Sequence, residues 1–249
     1  MGYLTSLRVE NFRRYRKFSA ALDQFNVLVG PNNSGKSSIL DAIRLFGAAL
    51  DLGRRRVPQP VRGPGGIGTT GYILPTSQLP ITARNIHTNY QELDTVLTFR
   101  VSDGNQLIVY FTPDSACRVC FDPGDVAPKT TEEFSNMYPL EVVAVPVLAP
   151  FEEREALLTS KYFERAWGTR LSARLFRNYW WRHSELFKEF QEMVEATWAG
   201  ITILKPEWTD HEPRELVMFY KEGRIDREIY WAGFGFQVWL QMLTHILTS

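Results

Sequence analysis

The sequence has few cysteines, no long apolar run and no net charge, and each absence excludes a class of protein. Its two cysteines, Cys117 and Cys120, are too few for the disulfide framework of a small secreted domain. No run of about 18 apolar residues occurs, so we expect no membrane-spanning helix and no membrane partner. The first residues also lack the apolar stretch of a secretory signal. We therefore expect a cytoplasmic protein.

The charges balance, with 28 Lys and Arg residues against 28 Asp and Glu residues. The chain thus carries no global cationic signal for nucleic acid, although a local basic patch stays open. At 249 residues, with 44% hydrophobic and 22% charged positions, it is typical of a globular chain with one sizeable core or two small ones. The single CxxC of Cys117 and Cys120 lacks a second ligand pair, so it predicts two strand cysteines rather than a zinc site.

The most informative segment is GPNNSGKSS, residues 30–38, which lies between the apolar run FNVLV and the helix-forming run ILDAI. Its spacing fits the pattern G-x-x-x-x-G-K-[ST] of a phosphate-binding loop between a strand and a helix. The segment supplies most of the candidate nucleotide-binding residues. They are Gly30, Pro31, Asn32, Asn33, Ser34, Gly35, Lys36, Ser37 and Ser38.

Each residue type in this loop has a physical reason to be there. Gly30 and Gly35 permit a close backbone approach, so that the N–H groups of residues 33–37 can cradle phosphate oxygens. The first turn of the following helix adds unpaired N–H groups and the positive end of its dipole. Lys36 is predicted to reach the β- and γ-phosphates, and the Ser37 hydroxyl is predicted to bind Mg²⁺. The expected ligands are therefore ATP and Mg²⁺.

Two longer segments have distinct compositions. Residues 52–80 are rich in glycine and proline, which predicts a long loop. Residues 151–199 have many charges and few helix breakers, which predicts a helical insertion. We place both within one domain over residues 1–249. The remaining pattern predicts short strands and one further helix: strands at 25–29, 95–101, 106–111, 117–121 and 142–147, and a helix at 236–247.

The opening L-x-V-x-N-F-R, residues 7–13, together with FNVLVGPNNSGKSSILDAI, resembles the amino-terminal half of an ABC-type ATPase head. The resemblance is to the OLD (overcoming lysogenization defect), RecF and SMC-like family. It implies an α/β P-loop NTPase fold with an N-terminal antiparallel β-subdomain and a helical insertion. In the family, an arginine at the position of Arg13 reaches the nucleotide phosphates. A solvated basic turn, with Arg14 beside it, stays open as the alternative.

A second loop, GFGFQ, contains Gly233, Gly235 and Gln237 and precedes an apolar helix. It resembles the family's signature loop, with Phe234 in the place of the usual serine. That likeness implies contact with the γ-phosphate of an ATP molecule bound to the opposite protomer. A helix start with two packing glycines is the alternative. No apolar run ending in Asp-Glu follows, so the catalytic acids of the family are unassigned, and we expect the sequence to be part of a longer protein.

The resemblance implies ATP binding and hydrolysis by a head-to-tail homodimer or higher homo-oligomer. Closure of that pair would drive a DNA-acting effector, either a nuclease or another partner, in phage defence or DNA repair. A nucleotide sensor that dimerises without hydrolysis is the first alternative. A kinase of a small metabolite is another, which the N-terminal antiparallel strands and the late GFG segment disfavour.

Overall fold

The computed structural model describes residues 2–82, 86–122, 126–143, 145, 148–167, 171–210 and 214–247. The chain divides into two compact units, Met1–Val143 and Ala144–Ser249. The sequence predicts one ATPase head over this whole length, so the division into units is a feature that the pattern did not reveal. We describe each unit by itself.

The first unit is organised by a seven-stranded sheet in which neighbouring strands are antiparallel. Its order is β2-β1-β5-β6-β7-β4-β3. The strands are β1 (Leu4–Phe12), β2 (Tyr15–Ala21), β3 (Gln59–Arg62), β4 (Gly68–Leu74), β5 (Thr95–Val101), β6 (Gln106–Phe111) and β7 (Cys117–Phe121). The predicted bounds of β5, β6 and β7 are confirmed, because alternating apolar residues bury one face of each strand.

The helix that follows the phosphate-binding pattern, α1 (Lys36–Arg55), packs its apolar stripe into the core of this unit. Phe46 is fully buried and stacks on Phe99 of β5 with ring centroids 4.7 Å apart. A short helix, α2 (Thr131–Met137), places Phe134 so close to Gly53 of α1 that a Cβ there would overlap the ring. These contacts fix the position of α1 and therefore of the loop at its amino terminus.

The prediction of a long loop over residues 52–80 is wrong. This segment contains the last turn of α1 and the antiparallel pair β3 and β4. Both residue types are compatible with strands here. At Gly71 of β4, the Val119 carbonyl occupies the position that a Cβ would take. Pro60 lies on β3, an edge strand of the sheet. Proline is tolerated at an edge, where one side of the strand needs no ladder hydrogen bond.

The predicted strand at residues 25–29 is also absent. The segment forms no strand, and its apolar side chains face solvent, with Phe25 84% and Val29 87% exposed. An apolar run becomes a strand only where another strand pairs with it, and the described residues supply none. Within the predicted central strand at 142–147, residues 142, 143 and 145 form no strand. Residues 144, 146 and 147 lie outside the described residues.

The second unit combines short helices with two small antiparallel sheets. The helices are α3 (Ser160–Ala166), α4 (Phe176–Arg182), α5 (Phe187–Thr197) and α6 (Phe234–Leu247). The strands are β8 (Ile201–Ile203), β9 (Glu207–Trp208), β10 (Leu216–Val217), β11 (Phe219–Glu222) and β12 (Ile225–Glu228), in the orders β12-β11-β8 and β10-β9. Within the predicted helical insertion at 151–199, the first described helix begins at Ser160. No helix in the described part of the chain is long and apolar enough to span a bilayer.

The core of this unit is aromatic and encloses one buried charge network. Trp180 stacks on Phe190 at 4.1 Å between centroids. Arg177 has no exposed side-chain surface and forms ion pairs with Glu155 at 3.3 Å and with Glu228 at 2.6 Å. Burial is the main cause that raises the pKa of Glu155, and hydrogen bonds from Asn178 and the charge of Arg177 oppose it. The network is therefore stable only while all its members are present.

We expect Arg177→Met to lower the free energy of unfolding of this unit by about 3–5 kcal/mol, because it leaves buried carboxylates without their partner. Arg174→Ala is the matched control, since its ion pair with Glu152 is largely exposed and worth at most about 1 kcal/mol. Urea denaturation followed by tryptophan fluorescence measures both. Equal small losses in the two variants would contradict the buried network.

Candidate functional site

The phosphate-binding pattern forms a tight loop that ends where α1 begins. The Ser34 N–H donates to the Pro31 carbonyl at 3.3 Å, and the N–H groups of Ser38 and Ile39 donate to the Gly35 carbonyl at 2.8 and 3.2 Å. Gly35 has a φ of 100°, in the left-handed region that favours glycine. The loop thus turns at Gly35 directly into the first helical turn.

This turn leaves three neighbouring backbone donors without a protein acceptor. In the described part of the chain, the N–H groups of Gly35, Lys36 and Ser37 take part in no hydrogen bond. First-turn N–H groups have no partner inside a helix, and the helix dipole makes this end positive. Three unpaired donors at a positive helix end suit the oxygens of a phosphate group.

Lys36 lies across the beginning of the loop. Its Nζ donates to the carbonyl oxygens of Gly30 at 2.6 Å and Pro31 at 2.8 Å. An ammonium group has three N–H donors, so one remains for a ligand. The side chain is thus held against the loop with one donor that these two bonds leave free.

The two serines differ in access. Ser37 is exposed, whereas Ser38 is buried at the helix start. No group of three or more His, Cys, Asp or Glu side chains that could hold a metal ion occurs among the described residues. A magnesium ion needs no such group here, since it commonly binds one or two protein oxygens together with phosphate oxygens and water. The exposed Ser37 hydroxyl fits that requirement.

Arg13 is held in place by an acid of α1. It occupies the two-residue turn between β1 and β2 with a φ of 50°, and its N–H donates to the Ile86 carbonyl at 2.6 Å. Its Nη1 lies 2.5 Å from Oδ2 of Asp41, whose Oδ1 binds Arg44 at 2.9 Å. The Arg13 Nε is buried and has no hydrogen-bond partner among the described residues. Arg13 is therefore a fixed side chain and not part of a solvated turn, while its contact with phosphate stays a prediction.

Tyr15, the next residue but one, touches the loop itself. Its hydroxyl donates to the Ser34 carbonyl at 3.2 Å, and a Cβ on Gly35 would overlap this hydroxyl. Sequence reasoning identified neither Tyr15 nor Asp41. The available signal for Asp41 was an acid within the apolar stripe of α1, which requires a positive partner. Tyr15 had no such signal, because its position depends on the register that pairs it with Phe12 in the folded hairpin.

The second loop lies in the other unit and is open to solvent. Apart from chain neighbours and the backbone of its own helix, no described atom lies within 4 Å of a Cβ built on Gly233 or Gly235, and neither has a left-handed φ. The helix start of the alternative interpretation is confirmed, since α6 begins at Phe234, while no packing contact or backbone conformation in the described structure requires glycine at these positions. Trp231, two residues before Gly233, and Phe234, between the two glycines, are exposed aromatic side chains.

Gln237, by contrast, is buried and fully hydrogen-bonded within its own unit. Its Nε2 donates to the carbonyls of Tyr230 and Ala232, each at 2.8 Å, and its Oε1 accepts the Phe151 N–H at 2.8 Å. The side chain fixes the path of the loop before α6. Its predicted contact with a nucleotide would require these three bonds to break.

The CxxC residues form no site. Cys117 and Cys120 are buried free thiols of β7. Burial raises the pKa of both, to about 11 in the case of Cys120. A thiol that stays protonated is a poor nucleophile and a poor metal ligand, in agreement with the interpretation as core residues.

A comparison with protein families bears on the first unit. Residues 3–98 match the model of a family described as AAA ATPase domain. The match covers less than half of the chain but includes the loop, α1 and the β1–β2 turn. It supports an ATPase of the AAA/ABC-like type, and with it ATP binding and hydrolysis. The mixed α/β architecture with its large antiparallel sheet fits an ATPase-like domain.

We expect Arg13→Ala to weaken ATP binding roughly ten- to a hundredfold, the loss of one charge-assisted contact. Arg14→Ala is the control, since Arg14 is the neighbouring residue of the same turn and is exposed. Isothermal titration with ATP measures both affinities. If both substitutions have the same small effect, Arg13 does not contact the phosphates.

Proposed function

We propose that this chain binds MgATP at residues 30–38 and hydrolyses it as part of a P-loop ATPase head similar to the OLD, RecF and SMC-like ATPases. The observation that carries the proposal is the row of unpaired N–H groups at Gly35, Lys36 and Ser37, beside the Lys36 ammonium. The AAA ATPase match over residues 3–98 supports ATP as the ligand.

Each residue then has a defined task in binding. The backbone donors of Gly35, Lys36 and Ser37 hold the β-phosphate, and the free N–H of the Lys36 ammonium reaches the γ-phosphate. Ser37 holds Mg²⁺, which neutralises phosphate charge when it is bound. Arg13 adds a second positive charge from the β1–β2 turn.

The loop with Gly233 and Gly235 gives a reason to propose a dimer. A glycine that neither packing nor backbone conformation requires is explained by the close approach of another molecule. We infer that this loop receives the γ-phosphate of ATP bound to a second copy of the chain, in a head-to-tail pair. ATP would then close the pair and hydrolysis would open it.

The further steps depend on the resemblance alone. Closure would drive a DNA-acting nuclease or another partner in phage defence or DNA repair, in the cytoplasm.

A nucleotide sensor without turnover is the second candidate, and one observation favours it. Asp41, a buried acid of α1, has one carboxylate oxygen paired with Arg13 and the other with Arg44, so neither oxygen is free to bind and orient a water molecule. Measurement of phosphate release distinguishes the two candidates.

Lys36→Ala tests the binding site. We expect loss of measurable ATP binding with an unchanged fold, because the ammonium contacts loop carbonyls at the surface and no core residue. Titration of a fluorescent ATP analogue measures the affinity, and circular dichroism checks the fold. Lys129→Ala, at an exposed position of the same unit, should bind like the parent. Equal affinities of the parent and Lys36→Ala would refute the site.

Gly235→Arg tests the dimer. A Cβ at Gly235 meets no described atom within 4 Å outside its own helix and chain neighbours, and the substituted loop belongs to the other unit from residues 30–38. We therefore expect ATP affinity within a few-fold of the parent and loss of ATP-dependent dimerisation in sedimentation experiments. ADP, which lacks the γ-phosphate, is the control and should not drive dimerisation of either protein. A variant that still dimerises with ATP would contradict the role of this loop.

A further inference from the structure

Tyr15 is fixed against the phosphate-binding loop by contacts that the proposed function does not use. It pairs with Phe12 at the closed end of the β1–β2 hairpin. Its carbonyl accepts a hydrogen bond from Oγ1 of Thr88 at 2.8 Å, and its ring lies 4.8 Å from the ring of Phe18. The backbone and the ring are thus both held by the sheet.

From this position the hydroxyl donates to the Ser34 carbonyl at 3.2 Å. The space that it occupies is the space of a Cβ on Gly35. Position 35 therefore requires glycine for two reasons. Its φ is left-handed, and any larger residue would displace the Tyr15 hydroxyl from the loop.

The hydrogen bond to the Ser34 carbonyl also determines the direction of the next backbone N–H group, that of Gly35. The Ser34 carbonyl and the Gly35 N–H belong to one planar trans unit, so they point in opposite directions. When Tyr15 holds the carbonyl towards the hairpin, the Gly35 N–H must point away from it. No acceptor among the described residues takes this N–H.

A peptide unit next to glycine is easily reoriented, because glycine populates both signs of φ. Without the Tyr15 hydroxyl, the Ser34–Gly35 unit could rotate and turn its carbonyl oxygen towards the ligand. A carbonyl oxygen there would repel a phosphate, whereas an N–H group binds it. The orientation of this one peptide unit therefore decides whether residue 35 attracts or repels the ligand.

We propose that Tyr15 is a positioning residue that holds the Ser34–Gly35 peptide so that the Gly35 N–H faces the phosphate of the bound nucleotide. Tyr15 does not touch the nucleotide and acts only through this peptide. The inference rests on the proposed function, since it concerns how the same loop binds phosphate.

Tyr15→Phe is the sharpest test, because it removes only the hydroxyl and keeps the ring. We expect the affinities for ATP and for inorganic pyrophosphate to fall by the same factor, about five- to tenfold, as expected for one hydrogen bond. The factors should be equal because contacts to the base and the ribose are unchanged. Isothermal titration measures both ligands, and thermal unfolding reports stability.

Tyr138→Phe is the matched control. The Tyr138 hydroxyl makes the same kind of bond in the same unit, donating to the Gln106 carbonyl at 2.7 Å. We expect this variant to lose stability to a similar degree or more while it binds both ligands like the parent. An equal loss of affinity in both variants would overturn the positioning role, because it would reflect general destabilisation.

The outcomes separate this inference from the proposed function. If the parent binds both ligands and Tyr15→Phe binds them equally well, the positioning role of Tyr15 is refuted and the nucleotide site stands. If the parent binds neither ATP nor pyrophosphate, the proposed function fails and the inference fails with it. A ¹⁵N-labelled Gly35 amide adds a direct measurement: its proton resonance should shift downfield with pyrophosphate in the parent and less in Tyr15→Phe.

Discussion

The packing of α1 against the antiparallel sheet is the interaction on which the rest of the first unit depends. Phe46 stacked on Phe99 and the close contact of Gly53 with Phe134 fix the axis of this helix. Its amino terminus, and thus the row of unpaired N–H groups, can only lie where that axis ends. The β1–β2 hairpin then contacts α1 through Arg13 and the loop through Tyr15. The candidate site is therefore a product of core packing, since its donors are backbone groups whose position the hydrophobic contacts decide.

Local patterns predicted the parts of the fold that depend on local interactions. The bounds of β5, β6 and β7 follow from alternation, and α1 follows from its apolar stripe. The errors at residues 25–29 and 52–80 have one cause, which is that strands need partners distant in sequence. The apolar run at 25–29 has no described partner strand, whereas the glycine- and proline-rich segment finds one in β7. Composition reports the preference of a segment but not the presence of its neighbour.

The candidate site, like the fold, was predictable from the sequence only where it depends on residues close together in the chain. The motif identified the loop because phosphate binding requires particular residues at fixed spacing. It could not identify Asp41 and Tyr15, since their roles arise only when a hairpin from the beginning of the chain meets the helix. Gln237 shows the opposite case: the resemblance of its segment to the signature loop implied a ligand contact, and the structure gives its side chain three hydrogen bonds within its own unit. A buried amide must satisfy its polar atoms, and sequence alone does not say with which partners.

The position of the Lys36 ammonium has a consequence for the entropy of binding. A free lysine side chain loses much rotational freedom when it is fixed on a ligand. Here the carbonyls of Gly30 and Pro31 hold Nζ, so this side chain has less freedom left to lose on binding. The same ammonium masks two carbonyl dipoles that would otherwise repel an incoming anion. For the proposed binding of a phosphate, this arrangement implies that the loop needs little reorganisation.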